Sequence, residues 1–411
     1  MRQKSDTQRS SSFDTPYFVL FMMNALYFMV ASTFTPYLAA YYRALDFSML
    51  EVGALAAVGS VSSILIQPFW SHLSDRMGNR LLVLRIVLIG CTATILLFLL
   101  PRSFVGLFLV VVVFQAFFTA VMPVQDAISL TYCNQRRKSY AGVRVGGTIG
   151  YALLVIFAGK IVGNDADTMR RMFLMASAGF FLMLLLTRSM PRDDTGVASR
   201  RIASIGVLLR NRRFALFLLW AFAFQVGISF IFSFLPVHIR NLGLSTTHIG
   251  YAMCISAVSE LPVLLLLDRV LKKRSPAQLL LFAGAALVVR LVLTSVATDF
   301  TGIALAQVFH GACFMTAFYC NMQLVNREVP SELKASGLGL LALVQSGMAS
   351  ILSSIGGGWL SDHLSIPAVM RLDAIFVSVL VATATLVYLF RARIPFLRQP
   401  DSVPVENKEG L

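Results

Sequence analysis

The stretch RSMPRDDTGVASRRIASIGVLLRNRR, residues 188–213, decides how this chain is read. It is the longest polar interruption in a sequence of 411 residues that is 57% hydrophobic and only 13% charged. A soluble domain of this length carries about 25% charged residues. On both sides, apolar runs recur at the length of roughly 20 residues that a helix needs to cross a bilayer. Six precede the interruption, near 16–41, 48–72, 81–100, 104–132, 140–163 and 169–189. Six follow it, near 213–239, 246–268, 276–296, 300–326, 336–361 and 367–390. The alternating signature of a membrane-spanning barrel is absent from these runs. The pattern predicts an all-α polytopic membrane protein with twelve transmembrane helices in two six-helix bundles, 16–189 and 213–390. A linker, 190–212, joins them, and tails 1–15 and 391–411 flank them.

An order repeats within the two halves. PYLAAYYRALDFSMLEVG leads into a segment ending in SDRMGNR, and LPVHIRNLGLSTTHIG leads into one ending in DRVLKKR. Parallel repeats about a central linker make the bundles pseudo-symmetric and put a substrate site near the membrane midplane between them.

The net charge of +15 raises the question of a nucleic-acid partner. Its distribution removes the need for one. Most of the 35 basic residues fall in alternate loops, including Arg136, Arg137, Lys138, the 188–213 connection, Lys272, Lys273 and Arg274. The other set of loops holds only Arg43, Arg102, Lys160, Arg170, Arg171, Arg240 and Arg371. Positive charge gathers on the cytoplasmic side, which predicts two cytoplasmic termini in a multi-pass protein of the plasma or inner membrane. The Arg170–Arg171 pair runs against the rule. The first apolar segment is too long for a signal-peptide core and is expected to stay in place. Five cysteines lie within or at the ends of apolar segments, with no CxxC or Cys/His spacing of a metal site, and read as small buried hydrophobes.

WSHLSDRMGNR, residues 70–80, resembles the loop between helices 2 and 3 of the major facilitator superfamily, G-x-L-x-D-R-x-G-R-R. Leu73, Asp75, Arg76, Gly78 and Arg80 match, while Ser71 and Asn79 depart from the pattern. The resemblance implies the major facilitator fold. It also implies that Asp75, Arg76, Gly78 and Arg80 belong to a cytoplasmic charge network that opens as the halves rock.

Charges within bilayer segments are costly and usually face a cavity or one another. Four stand out: Asp126 in VMPVQDAISL, Arg144 in YAGVRVGGTIGY, Glu260 in SAVSELPVL and Arg290 in ALVVRLV. Counting from the turn at Arg136 puts Asp126 and Arg144 at equal depth on neighbouring helices, roughly 12–15 Å in and close to midplane. They are expected to pair, and Gly146, Gly147 and Gly150 to let a helix or a ligand come close to the arginine. A planar guanidinium in a polar cavity also suits hydroxyls or carboxylates of a solute. His310, in AQVFHGACF, reads either as a hydrogen-bonded core residue or as a proton relay. Burial disfavours an ionised carboxylate, so Glu260 is expected to be protonated or paired with Arg290, and to exchange between those states. Gln125, Thr148, Gln225, Gln307, Asn321 and Gln345 add polar groups along the same helices.

These segments resemble one branch of the superfamily, which includes the lactose permease, nucleoside–proton symporters and phenylpropionate permeases. AGVRVGGTIGY is similar to its helix 5 motif, SELP to its helix 8 glutamate motif, VVR to its helix 9 arginine and FHG to its helix 10 L-H-G. The resemblance implies substrate-binding roles for Asp126, Arg144, Thr148 and Tyr151, and proton-coupling roles for Glu260, Arg290 and His310; Gln225, a polar group of helix 7, is a further substrate-binding candidate from its place in the sequence. Departures are visible. Cys313 stands where the lactose permease has a glutamate, Met315 where nucleoside symporters have an aspartate, and Tyr151 where the sugar-stacking residue is tryptophan. The expected function is proton-coupled symport of a small polar organic solute, a sugar, nucleoside or aromatic acid, by a monomer that needs no cofactor beyond the proton. A proton-driven efflux antiporter is the rival, disfavoured by a fifth helix without proline. A receptor or scaffold would not need the balanced buried charges. No nucleophile triad, metal spacing or phosphate loop suggests an enzyme.

Overall fold

A computed structural model describes residues 14–191 and 205–390. The tails and most of the predicted linker lie outside these residues. Among the described residues are twelve helices long and apolar enough to cross a membrane. They are α1 (Thr15–Ala44), α2 (Met49–Ser74), α3 (Arg80–Leu99), α4 (Phe104–Arg136), α5 (Tyr140–Val162) and α6 (Ala166–Ser189) in the first half. The second half holds α7 (Arg212–Asn241), α8 (Thr246–Leu267), α9 (Pro276–Val296), α10 (Phe300–Glu328), α11 (Ser336–His363) and α12 (Ile366–Phe390). Their ends fall within about one helical turn of the limits read from hydropathy.

Local sequence explains several boundaries. Beyond the Met49–Ser74 span the α2 helix continues to Met77 and ends at Gly78, whose φ of 60° is the left-handed conformation that closes a helix at little steric cost. Asn79 then caps α3, its side chain accepting from the Leu82 N–H at 2.9 Å. The asparagine that departs from the family motif thus has a structural use. The Arg170 exception is also resolved locally. Asp167 takes the Arg102 guanidinium at 2.5 Å and that of Arg170 at 3.9 Å, so acidic charge offsets Arg170 of the basic pair.

The two halves meet chiefly at the end of the bundle opposite residues 14 and 390, here called the far end. There the N-terminal part of α2 packs on the C-terminal part of α11, and α8 packs on α5. Met49 and Leu50 donate backbone N–H groups to the Asp362 carboxylate at 2.7 and 2.8 Å. Thr246 donates its N–H to Asn164 Oδ1 at 2.9 Å, and its hydroxyl lies 2.9 Å from the Gly159 carbonyl. The seams are repeats of one another. RALDFSMLEVG (43–53) and RNLGLSTTHIG (240–250) share an arginine bonded to the carbonyl four residues on, at 2.7 Å in each. Both then turn through a positive φ, at Asp46 and Gly243, and both enter a helix through a capping box. Each ends on a glycine, Gly53 or Gly250, where a Cβ would strike the opposite half's backbone at Ser354 or Val155. At the near end, the Gln67–Met77 part of α2 packs on helices of its own half.

Candidate functional site

Arg144, Thr148 and Tyr151 are spaced four and three residues apart along α5, which puts them on one face. All three are half-buried. The Arg144 guanidinium reaches Asp126 at 3.9 Å, so the expected pair forms, although loosely. It also lies 4.8 Å from the centre of the Phe28 ring and 3.8 Å from Met122 Sδ. The Asp126 carboxylate has the Tyr140 hydroxyl beside it, while its Oδ1 is buried without a partner. A single long ion-pair contact leaves most of the guanidinium's donors free of protein carboxylates.

Asp126 lies ten residues from the near end of α4 at Arg136, and Arg144 is the fifth residue of α5, so each stands in the near third of its own helix. Tyr151 is the residue at mid-helix. Of the two neighbours the three glycines were expected to admit, a helix or a ligand, they admit a helix, α1. A Cβ at Gly146, Gly147 or Gly150 would strike Phe21, Phe28 with Asn24, or the Ala25 carbonyl. The close approach at these glycines is therefore helix packing against α1.

Glu260 and His310 come together across α8 and α10, with His310 Nε2 3.1 Å from Glu260 Oε1. Gly311 makes this possible. Its missing Cβ lets α10 press on α8 at Ser259 and Glu260, and its N–H donates to Ser259 Oγ at 2.9 Å. The chain widens to a π-turn over Gly311–Met315 immediately afterwards, a distortion that often marks functional helices. The histidine ring is held by Phe314, stacked at 5.1 Å, and by the edge-on ring of Phe232 at 5.5 Å. Its Nδ1 is buried and unpartnered. Glu260 lies within electrostatic reach of Arg144 and Tyr151 across the seam between the halves.

Arg290 does not pair with Glu260. Its Nη2 donates to Gln307 Oε1 at 2.6 Å, and Cys313 Sγ lies 4.0 Å from Nη1. Both residues are fully buried, and Gln307 also accepts from Ser256 at 3.2 Å. The cysteine that replaces the family's glutamate thus faces the arginine as a neutral, weakly accepting group.

Gln225 stands apart from the α5 face. It lines a cavity of about 330 Å³ formed by α7, α10 and α11, with Phe224, Phe314, Phe318, Asn321 and Gln345. Gln225 Nε2 donates to Ser229 Oγ at 3.0 Å, and Ser229 contacts Ser350 at 3.1 Å. Among the switch residues, Arg80 donates to Thr131 Oγ1 at 3.2 Å, and Arg76 and Gly78 are exposed. The side chain of Asp75 lies outside the description.

Sequence reasoning missed Asp373 of α12. Its carboxylate packs against Gly227, where a Cβ would come 3.2 Å from Oδ1, and its Oδ2 is buried without a partner. Its nearness to the segment's end and to Arg371 makes it read as a loop charge. Asn24 also escaped notice. Its side-chain amide is fully buried opposite Gly147 with both polar atoms unpartnered, as are those of Gln125.

Comparison with known proteins agrees with the twelve-helix fold. The profile of the MFS_1 like family matches residues 17–372. The uncharacterized transporter YwbF of Bacillus subtilis (strain 168) is 24% identical over 79% of the chain and 81% of its own length. The maltose permease of Geobacillus stearothermophilus is 23% identical over 94% of the chain and 95% of its own length. The crystal structure of a mutant of the nucleoside transporter NupG superposes with a TM-score of 0.82 at 16% identity, covering 90% of this chain and 99% of that one.

Proposed function

The chain belongs to the MFS_1 like family of major facilitator transporters, and from that premise we propose that it takes up a small polar organic solute by proton-coupled symport. The substrate class comprises sugars, nucleosides and aromatic acids; relatives named as a maltose permease and a nucleoside transporter support such a class. The single observation that carries the reading is the Glu260–His310 contact, within electrostatic reach of Tyr151 and Arg144 of the other half.

Arg144 and Thr148 bind the solute, Asp126 orients the guanidinium, and Tyr151 offers a ring at mid-helix. Gln225 contributes from the opposite half. Glu260 and His310 carry the proton. One hydrogen bond between them survives in both states, since a neutral imidazole N–H donates to the carboxylate and a protonated carboxyl donates to the imidazole. Proton loading neutralises the Glu260 carboxylate, with the imidazole proton passing from Nε2 to Nδ1, and unloading leaves the carboxylate ionised and held by the Nε2–H. Arg290, held by Gln307, fixes α9 against α10 and contributes positive potential near His310. With the basic loops at the cytoplasmic face of the plasma or inner membrane, the far end is external, and the conformer described is closed to the outside. Asp75, Arg76, Gly78 and Arg80 act when the cytoplasmic side closes. The transporter works as a monomer.

The test is uptake by purified protein in proteoliposomes, using labelled sugars, nucleosides and aromatic acids with and without an inward proton gradient. Accumulation of one class only when the gradient is present supports the reading. Uptake indifferent to the gradient, or expulsion against inward proton flow, contradicts it.

A further inference from the structure

The two far-end seams are built from the same repeated segment but carry different charges. At one seam the Asp362 carboxylate accepts the N–H groups of Met49 and Leu50 at 2.7 and 2.8 Å. These are first-turn donors that α2 cannot satisfy internally, and a negative charge also favours the positive end of the helix dipole. At the other seam the acceptor for the α8 N-terminus is the neutral Asn164, at 2.9 Å from Thr246 N. Charge enters there from the donor side, because Arg240 reaches Asn164 Oδ1 and the Asn164 carbonyl, both at 3.0 Å. Arg43, the repeat counterpart of Arg240, bonds to Phe47 within its own half.

Each seam thus holds one full charge against a neutral group of the other half. Charge-assisted bonds of this kind are stronger than neutral ones, but they are not ion pairs that would lock the halves together. When the seam parts, the freed N–H groups of Met49, Leu50 and Thr246 meet water, while other bonds at each helix end persist. The α2 N-terminus keeps its Ser48–Glu51 capping box, α8 keeps Ser245–His248, and Arg240 keeps the Leu244 carbonyl at 2.7 Å. Opening therefore returns Asp362 and Arg240 to water and leaves no helix end without a cap.

We propose that Asp362 and Arg240 are two reversible latches that set how long the far end of the transporter stays closed. They act as positioning residues for the conformational cycle and have no contact with the solute site. The inference needs only that the halves rock. It does not depend on the identity of the solute or the coupling ion.

The test uses the full chain in proteoliposomes with spin labels at Lys160 and Leu364, exposed far-end positions on opposite halves, and distances from double electron–electron resonance. Asp362→Asn keeps one amide acceptor but loses the charge, and should raise the long-distance population by roughly two- to fivefold, the scale of a lost charge at a helix N-terminus. Asn164→Asp gives Arg240 an ionic partner and Thr246 a charged cap. It should restore the short distance when added to Asp362→Asn, and alone should slow solute exchange several-fold. Unchanged distances in Asp362→Asn, or longer distances in Asn164→Asp, overturn the proposal. If Asp362→Asn does not fold, Asn164→Asp decides by the same criterion, with faster or unchanged exchange counting against it.

Discussion

His310 Nε2 lies 3.1 Å from Glu260 Oε1, which ties α10 to α8 and leaves Arg290 to the amide of Gln307 at 2.6 Å. The buried charges are thus divided. One pair can share a proton, and the arginine's shortest bond goes to a neutral amide that does not titrate, while its Nε is buried without a partner.

Gln307→Leu isolates that arginine. Arg290 is 1% exposed and would lose its shortest hydrogen bond in an apolar setting. Stranding a buried charged donor costs about 2–3 kcal/mol. Thermal melts in detergent should show a fall in Tm of several degrees, and Gln307→Glu, which supplies a carboxylate at the same place, should recover most of it.

Arg144→Lys should abolish solute binding while leaving insertion and melting near those of the parent. The 3.9 Å contact to Asp126 is long enough for lysine to replace, but lysine cannot reproduce a planar fork of donors. Isothermal titration with the transported solute checks this. Retained affinity would make Arg144 a structural partner of Asp126.

Gly150→Val tests helix packing. The added side chain would strike the Ala25 backbone carbonyl and Met29, and backbone cannot swing aside as a flexible side chain can. Forcing α1 and α5 apart should cost about 1–3 kcal/mol, read as a lower Tm. Ile149→Val, on the exposed face of the same helix, should change Tm little.

The near end offers a pH-dependent clasp. Asp14 caps α1 and accepts the Tyr132 hydroxyl at 2.7 Å, with Lys138 Nζ at 3.2 Å. The Tyr132 hydrogen bond, and after it those from Tyr17 and Lys138, hold the carboxyl below its ordinary value of 3.8. A depressed folded value means that the clasp adds stability at neutral pH and loses it as pH falls below about 4. The Tm difference between the parent and Asp14→Asn should therefore be present at pH 7 and shrink on acidification. A difference that grows in acid would contradict this sign.

The helices and their order were legible because bilayer spans need long apolar runs, and few other structures tolerate them. The Asp126–Arg144 pair was legible because a short turn at Arg136 sets their relative depth. Partner choice among α8, α9 and α10 was not, because it depends on helix rotation and on how closely backbones approach. Gly311 and the π-turn after it bring His310 to Glu260, and neither the rotation nor the turn follows from hydropathy. The glycines beside Arg144 were visible as small residues, but which neighbour fills the space they leave is a fact of packing. Asp373 was hidden by its position near a segment end.

The most direct measurement of the central claim compares two modes of transport in Glu260→Gln proteoliposomes. Glutamine keeps the shape of the protonated side chain and can still hydrogen-bond to His310, but it cannot release a proton. The account predicts that solute counterflow, which needs no net proton movement, persists, while accumulation driven by an inward proton gradient is lost. Full gradient-driven accumulation in Glu260→Gln would contradict the account and take proton coupling away from the Glu260–His310 pair.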